Sequence, residues 1–366
     1  MRKLNNLLIA SLLVLTIIPS VFAVSVGTGI GVDIVTEDFE PLVFMCDHRV
    51  VTDDNVEPWR VSDPGQELIE RINNYAFEGE MVAWNVLVVD KNGVEKISDV
   101  FATIGDSQGA GNDIEVNCER SGYRPTRIPE SCNARILEEQ LKEFDEDIME
   151  FYDCKLTVET PESMYGEFWV TVEAEDLDGL SGTMDENEFW FFNPVIALSI
   201  DGDLTFDEVR PGSQSYSDTI LVGNDADDGS GVLLDMFSSG TDFYDSSSSG
   251  AKCPDTNQLA LTNFRYFVTN GAYSSLIDAG VGRGTRAKDA EGYVGIGYGD
   301  GFNDPTPFYD GFEILQAGGP FVGGKGYLAN MLAPGAEMAL TFKLSLPEPC
   351  NGDFDTGSIF FWGEAI

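Results

Sequence analysis

The sequence predicts a mostly β chain of two β-sandwich domains, with one long helix inserted in the first. Three observations predict it. Short runs of alternating apolar and polar residues recur along the chain, bounded by Asn-Gly, Asp-Gly and Pro-Gly turns. Six cysteines divide four and two between the halves: Cys46, Cys118, Cys132 and Cys154, then Cys253 and Cys350. A single stretch, from about 131 to 151, departs from alternation and places apolar residues three and four apart.

The N-terminal residues predict export. Arg2 and Lys3 precede an apolar run from Leu7 to Ile18, broken only by Ser11 and Thr16. Pro19 ends it, and Val21-Phe22-Ala23 has the small and β-branched residues of a cleavage site. This is the layout of a signal peptide over 1–23; an uncleaved anchor is the alternative. No later apolar run is long enough to span a membrane. The even cysteine count behind such a leader reads as disulfides in an oxidising compartment. Zinc is disfavoured, because no pair has C-x-x-C spacing and His48 is the only histidine.

The full chain has a formal net charge of −42. Loss of residues 1–23 removes Arg2 and Lys3 and no acid, leaving 19 basic against 63 acidic residues. Such a surface repels nucleic acid and anionic lipid and favours cations and basic partners.

The first domain is expected over 24–193. Met81 to Asp90 and Val94 to Ile104 read as two strands about the Lys91-Asn92-Gly93 turn. A related unit runs from Glu167 to Asp176, through Leu177-Asp178-Gly179, to a strand at Glu188 to Phe192. Between them, Leu137, Leu141, Phe144, Ile148 and Phe151 predict a helix from Ser131. About 20 helical residues span about 30 Å, and bonded cysteines need Cα atoms within roughly 7 Å. Cys132 and Cys154 at opposite helix ends therefore should not pair. Cys118–Cys132 with Cys46–Cys154 is the preferred scheme, and Cys46–Cys132 with Cys118–Cys154 the alternative. Cys253 and Cys350 would form the third bridge.

The boundary is placed at Asn193-Pro194, with no flexible linker, so a stiff junction is expected. The second domain, 194–366, opens and closes on Pro-Gly turns that feed strands: Val209-Arg-Pro-Gly212 before Tyr216 to Val222, and Leu332-Ala-Pro-Gly335 before Met338 to Leu346. Between them, 280–326 holds 14 glycines with Tyr293, Tyr298, Phe302, Phe308, Tyr309, Phe312 and Phe321 near or within it. That composition suits long ordered loops, where binding usually sits.

Two motif sets carry a resemblance. LTFDEVRPGSQSYSDTILVGN and LAPGAEMALTFKLSLPEPCNGDF…GSIFFWGEAI resemble the jelly-roll of camelysin-type biofilm-fibre proteins and the related archaeal bundling pilins. MVAWNVLVVDKNG and EFWVTVEAEDLDG resemble an immunoglobulin-like sandwich of archaeal surface proteins. The fibre family implies that a strand following the leader inserts into the next subunit. Here that segment is 24–35, where Val24, Val26, Ile30, Val32 and Ile34 alternate with small or polar residues. An ordinary first strand of its own domain is the alternative.

No catalytic constellation emerges. A nucleophilic triad fails: His48, the only histidine, lies beside Cys46 on an expected strand, with no matching serine motif. Gly295-Ile-Gly-Tyr-Gly-Asp-Gly301 lacks the lysine and the strand-to-helix context of a nucleotide loop. Asp225, Asp227 and Asp228, and Asp176 with Asp178, place carboxylates around glycine turns, which suits calcium, although neither set has the full twelve-residue loop. Solvated turn acids are the alternative. No Asn-x-Ser/Thr triplet occurs. The expected function is a secreted, non-catalytic structural protein of a cell surface, filament or matrix, whose partners are its own copies or other surface proteins. An adhesin using the glycine-aromatic loops is the runner-up, and a secreted glycoside hydrolase with two facing carboxylates comes third.

Overall fold

A computed structural model describes residues 29–53, 73–133, 140–184, 188–247, 252–254, 256–276, 287–299, 313–319 and 327–366. The expected leader, Val24 and Val26 lie outside them. Residues up to Asp38 form a unit separate from Phe39–Ile366. Its described part, 29–38, has no helix or strand, and Ile30, Val32 and Ile34 are exposed there.

The first half of the larger unit is one nine-stranded sheet. Its strands are β1 (Leu42–Asp53), β2 (Tyr75–Ala76), β3 (Glu80–Val89), β4 (Ile97–Gly105), β5 (Ile114–Arg120), β6 (Met149–Thr157), β7 (Gly166–Asp176), β8 (Ser181–Thr183) and β9 (Glu188–Phe192). Their order is β1-β3-β6-β5-β4-β7-β9-β2, with β8 beside β7. The sheet folds over along β5. That strand pairs with β4 from Ile114 to Asn117 and with β6 from Cys118 to Arg120. Strands that change partners in this way make the corners of folded sheets. Its two arms then enclose one core: Val82, Trp84, Val86 and Val88 of β3 meet Ala102 and Ile104 of β4 and Val170 and Val172 of β7.

Alternation assigns these faces, because successive side chains of a strand point to opposite sides. On β3, Leu87 and Val89 point the other way, into a second cluster with Phe44, Cys46, Cys132 and Phe151. Ile128 and Cys132, and then Leu141, Phe144 and Ile148, cover that outer face. They do not lie on the expected helix: among the described residues there is a short 3-10 turn at Glu130–Asn133, an irregular stretch, and then β6. Leu137 lies outside the described residues. Leu141, Phe144 and Ile148 still reach the apolar cluster, and Phe144 stacks on Phe151. A turn capped by Asp145, whose carbonyl accepts from the amides of Ile148 and Met149, delivers them. Pairing of Phe151 with Leu87 in the sheet prevails over the helical period.

The pairing of the first four cysteines is Cys46–Cys132 and Cys118–Cys154, which corrects the preferred scheme. The reason is the sheet itself. Cys154 and Cys118 pack on the inner core, while Cys46 and Cys132 lie in the outer cluster. A Cys46–Cys154 bond would have to pass through the sheet.

The Lys91-Asn92-Gly93 turn likewise joins two strands that are not paired. β3 lies between β1 and β6, and β4 between β5 and β7, so the chain crosses from one arm to the other there.

The second half contains β10 (Leu198–Asp201), β11 (Gln214–Asn224), β12 (Leu234–Gly240), β13 (Phe243–Tyr244), β14 (Gln258–Leu259), β15 (Phe264–Asn270), β16 (Tyr273–Ser274), β17 (Val294–Gly295), β18 (Gly297–Tyr298), β19 (Met331–Leu332), β20 (Glu337–Ser345) and β21 (Ile359–Ala365). A six-stranded sheet runs β10-β11-β20-β15-β16, with β17 beside β15. A four-stranded sheet runs β18-β12-β19, with β21 along β12. Their apolar faces share a core of Ile220, Val222, Leu340, Phe342 and Tyr266 with Leu234, Met236 and Leu332. Both Pro-Gly turns precede their strands as read. Ser213 donates to Arg210 and Ala336 to Ala333, closing four-residue turns whose third position has φ of 75° at Gly212 and 76° at Gly335. That conformation favours glycine after proline.

The halves meet through the β2–β9 ribbon. Ala76, Trp190 and Phe192 point into the first core, while Tyr75 and Phe191 point into the second. The Tyr75 hydroxyl donates to the backbone oxygen of Ile366. Asn193, next to β9, is buried and fully bonded: its Nδ2 donates to Glu159 and Met164 carbonyls, and its Oδ1 accepts from the Glu78 amide. Such a satisfied buried amide fixes one geometry.

Candidate functional site

The carboxylates of Asp176, Asp178 and Asp227 are engaged in local structure. Asp176 Oδ1 accepts from the amides of Asp178 and Leu180, at 2.9 and 2.7 Å, and Asp178 pairs with Lys96. Asp227 Oδ2 accepts from the Val195 amide and the Tyr165 hydroxyl, which ties the second half to the first. Asp225 donates its amide to Ala197. Neither the Asp225, Asp227 and Asp228 turn nor the Asp176 and Asp178 turn forms a cluster of three metal-ligating side chains among the described residues. Among the described residues no three Asp, Glu, His or Cys side chains converge in a way that could hold a metal ion.

The related turn after β3 repeats the Asp176 arrangement. Asp90 Oδ1 accepts from the Asn92 amide, while its buried Oδ2 has no partner among the described residues. Burial, together with the charge of Asp176, raises the Asp90 carboxyl above its ordinary range, although the Asn92 amide opposes this. The recurrent Asp-then-Gly-turn pattern is thus a capping device used twice on neighbouring strand ends.

A second buried acid sits in the other half. Asp235 of β12 is 5% exposed, and Asn330 donates to it. Glu364 of β21 stands opposite in register, and Glu313 lies nearby. Burial first, and then these two carboxylates, push Asp235 up to about 7.

The described surface also holds a groove of about 580 Å³. It forms between the segment leading to β11 and the segment following β20. Leu259, Phe264 and Leu344 are its buried floor, and Phe206 and Phe354 its half-buried walls. Asp207, Glu208 and Asp353 line it as well, and no lysine or arginine does among the described residues. Glu208 has φ of 50°, in the left-handed region that a glutamate rarely adopts. The Cys253–Cys350 bridge and the paired backbones of Lys252 and Asn351 brace one wall.

The groove was legible only in part. Phe206-Asp207-Glu208 stands within the quoted LTFDEVRPG motif, but nothing in the sequence links it to Phe354. Of the loop aromatics, Phe302, Phe308, Tyr309, Phe312 and Phe321 lie outside the described residues. Tyr298 donates to Asp242, and Tyr293 packs on Phe267 and Tyr216, so both serve the scaffold. His48 lies on β1, and its side chain is also outside what is described.

No helix among the described residues is long and apolar enough to cross a membrane. No protein-family model matches the chain, and neither does any curated protein. Solved structures show weak likeness, two of them as follows. One, named BspA_C_WT, is 11% identical over 87% of this chain and 96% of its own, with a TM-score of 0.29. The other, a Eubacterium rectale protein proposed to be secreted, is 8% identical over 91% of this chain and 68% of its own, with a TM-score of 0.18. What the chain displays on its own strands is a β-rich, three-disulfide architecture suited to an oxidising compartment.

Proposed function

We propose that the chain is a secreted structural component of a cell surface, filament or matrix, and that it performs no catalysis. One observation carries this reading: two β-rich halves are joined through a shared wall and braced by three disulfides. Rigidity of that kind serves a load-bearing or display role more directly than turnover. In this reading the first half is an immunoglobulin-like sandwich and the second a jelly-roll. The high negative charge keeps such a body soluble until it meets its neighbours.

The exposed Ile30, Val32 and Ile34 support assembly by strand donation. A donated strand gains main-chain bonds along a sheet edge and side-chain pockets at every second residue. Electron microscopy of the purified protein tests this. Filaments that disappear when residues 24–35 are deleted are expected; dispersed monomers at every concentration would remove the assembly reading.

The groove favours a second reading, a binding module for a basic, partly apolar segment of another surface protein. Its apolar floor and acidic lining suit such a ligand, and like charge disfavours this chain's own acidic segments. Titration with a Lys/Phe-rich peptide should show binding that weakens with salt and is lost in Phe206→Ala. Equal binding of a Glu/Phe-rich peptide would exclude it.

A further inference from the structure

Lys343 is the only buried lysine or arginine among the described residues, with 3% exposure. It lies near the C-terminal end of β20, between Tyr216 of β11 and Arg265 of β15. Its neighbours Phe342 and Leu344 face the core, so its own side chain leaves the opposite face of the sheet. The segment around 289–293 covers it there. Asp289 Oδ2 is in direct contact with Nζ, and Glu291 Oε2 is 3.1 Å away. The ring of Tyr293 lies 4.6 Å from Nζ. Tyr216 donates its hydroxyl to Glu291 Oε2 at 3.2 Å.

The Asp289 carboxyl is oriented for more than an ion pair. Its Oδ1 accepts from two backbone amides, Glu291 at 2.9 Å and Tyr293 at 3.0 Å. Two converging amides stabilise negative charge on a carbonyl oxygen as a tetrahedral centre forms. The other oxygen faces the amine. A nucleophile, an acyl carbon with its oxyanion donors, and a second carboxylate touching the nucleophile thus meet at one point, where the amine is buried, Asp289 is half-buried and Glu291 is exposed.

We propose that Lys343 and Asp289 form an intramolecular amide crosslink, with Glu291 carrying the protons. Through the Glu291 carboxylate one ammonium proton first passes from Nζ to Oδ2, leaving a neutral amine and a carboxylic acid. The Nζ lone pair attacks Cγ of Asp289, and the C–N bond forms as negative charge gathers on Oδ1. A second proton passes from the nitrogen through Glu291 to Oδ2, the bond from Cγ to Oδ2 breaks, and water leaves. The third stays on the amide nitrogen. Nothing is oxidised or reduced, and no other reactant is needed.

In the uncrosslinked pair, burial lowers the Lys343 amine, but Asp289 and Glu291 raise it by more, so it is held above the ordinary lysine range. It must therefore shed a proton before attack, which is the task of Glu291. Fixed proximity supplies the driving geometry. A neutral amide also removes the desolvation cost of holding the buried Lys343 ammonium there. The crosslink would fasten a central strand to its covering segment. It deepens the structural reading without depending on filament formation.

The test is peptide mapping of the folded full chain after reduction of its disulfides. A branched peptide joining Lys343 to Asp289, lighter than its two parts by one water, is expected. Lys343→Arg and Asp289→Ala should yield only linear peptides. Glu291→Gln should slow crosslinking about a hundredfold while circular dichroism stays native. Linear peptides carrying unmodified Lys343 and Asp289 in full yield from the folded wild type would overturn the proposal, and that outcome needs no variant to fold.

Discussion

Cys118 stands directly opposite Cys154 at the residue where strand β5 leaves β4 and takes up β6, with Cα atoms 4.2 Å apart. The bond therefore locks the crease of the folded sheet. A Cys118→Ala, Cys154→Ala double variant should lose roughly 3–4 kcal/mol, the chain-entropy value for a loop of this length. Denaturant unfolding measures it, and non-reducing peptide maps should show Cys46 joined to Cys132. In the wild type, a Cys118–Cys132 peptide would contradict the sheet topology.

Gly182 marks the place where the far arm returns to the start of β1. A Cβ there would lie 1.6 Å from the carbonyl oxygen of Pro41. Backbone cannot yield as a side-chain tip can, so Gly182→Ala should destabilise by about 1–3 kcal/mol. A melting temperature unchanged from wild type would show that β8 and Pro41 are not so closely apposed.

Tyr75 packs into the second core and bonds Ile366, so the two halves should unfold together. Tyr75→Phe loses one buried hydrogen bond to Ile366 and should cost about 1 kcal/mol. Tyr75→Ala opens a cavity in the shared wall and should cost about 3–5 kcal/mol. Calorimetry should show one transition for wild type and two for Tyr75→Ala. Two transitions in the wild type would mean that the wall does not couple the halves.

Asp235 predicts a pH response. Its folded value, about 7, lies above its ordinary value, so the folded state holds the proton more tightly. Its stabilising contribution is full below about pH 4 and is lost as pH rises through 7. Asp235→Asn, which keeps an acceptor for Asn330, should flatten this dependence and stabilise the protein at pH 8 by on the order of 2 kcal/mol. Parallel wild-type and variant stability curves between pH 5 and 8 would refute the assignment.

Much of the strand pattern was legible, because a face buried on one side leaves alternation in the sequence. Val82, Trp84, Val86 and Val88 show it, and so do the Pro-Gly turns at Gly212 and Gly335. Three things were not. The apolar spacing of Leu141, Phe144, Ile148 and Phe151 suits a helix face, yet an irregular segment ending in a strand presents the same side chains to the same cluster. The cysteine pairing depended on which face of the sheet each residue occupies, which spacing does not encode. The groove and the Lys343 cluster join residues far apart in the chain, and a lone lysine in an alternating strand looks like any solvent-facing residue. One signal was available: Phe189-Trp-Phe-Phe192 lacks a polar face, as a strand buried on both sides should.

That two-faced strand bears on how such a chain can change over generations. Recombination shuffles domains when each brings a complete interior of its own. Here a cut after Asn193 would leave Tyr75 and Phe191 on one fragment and the cavity they fill on the other. Neither fragment would be a transferable module. The two halves must be inherited, and diverge, as a single unit.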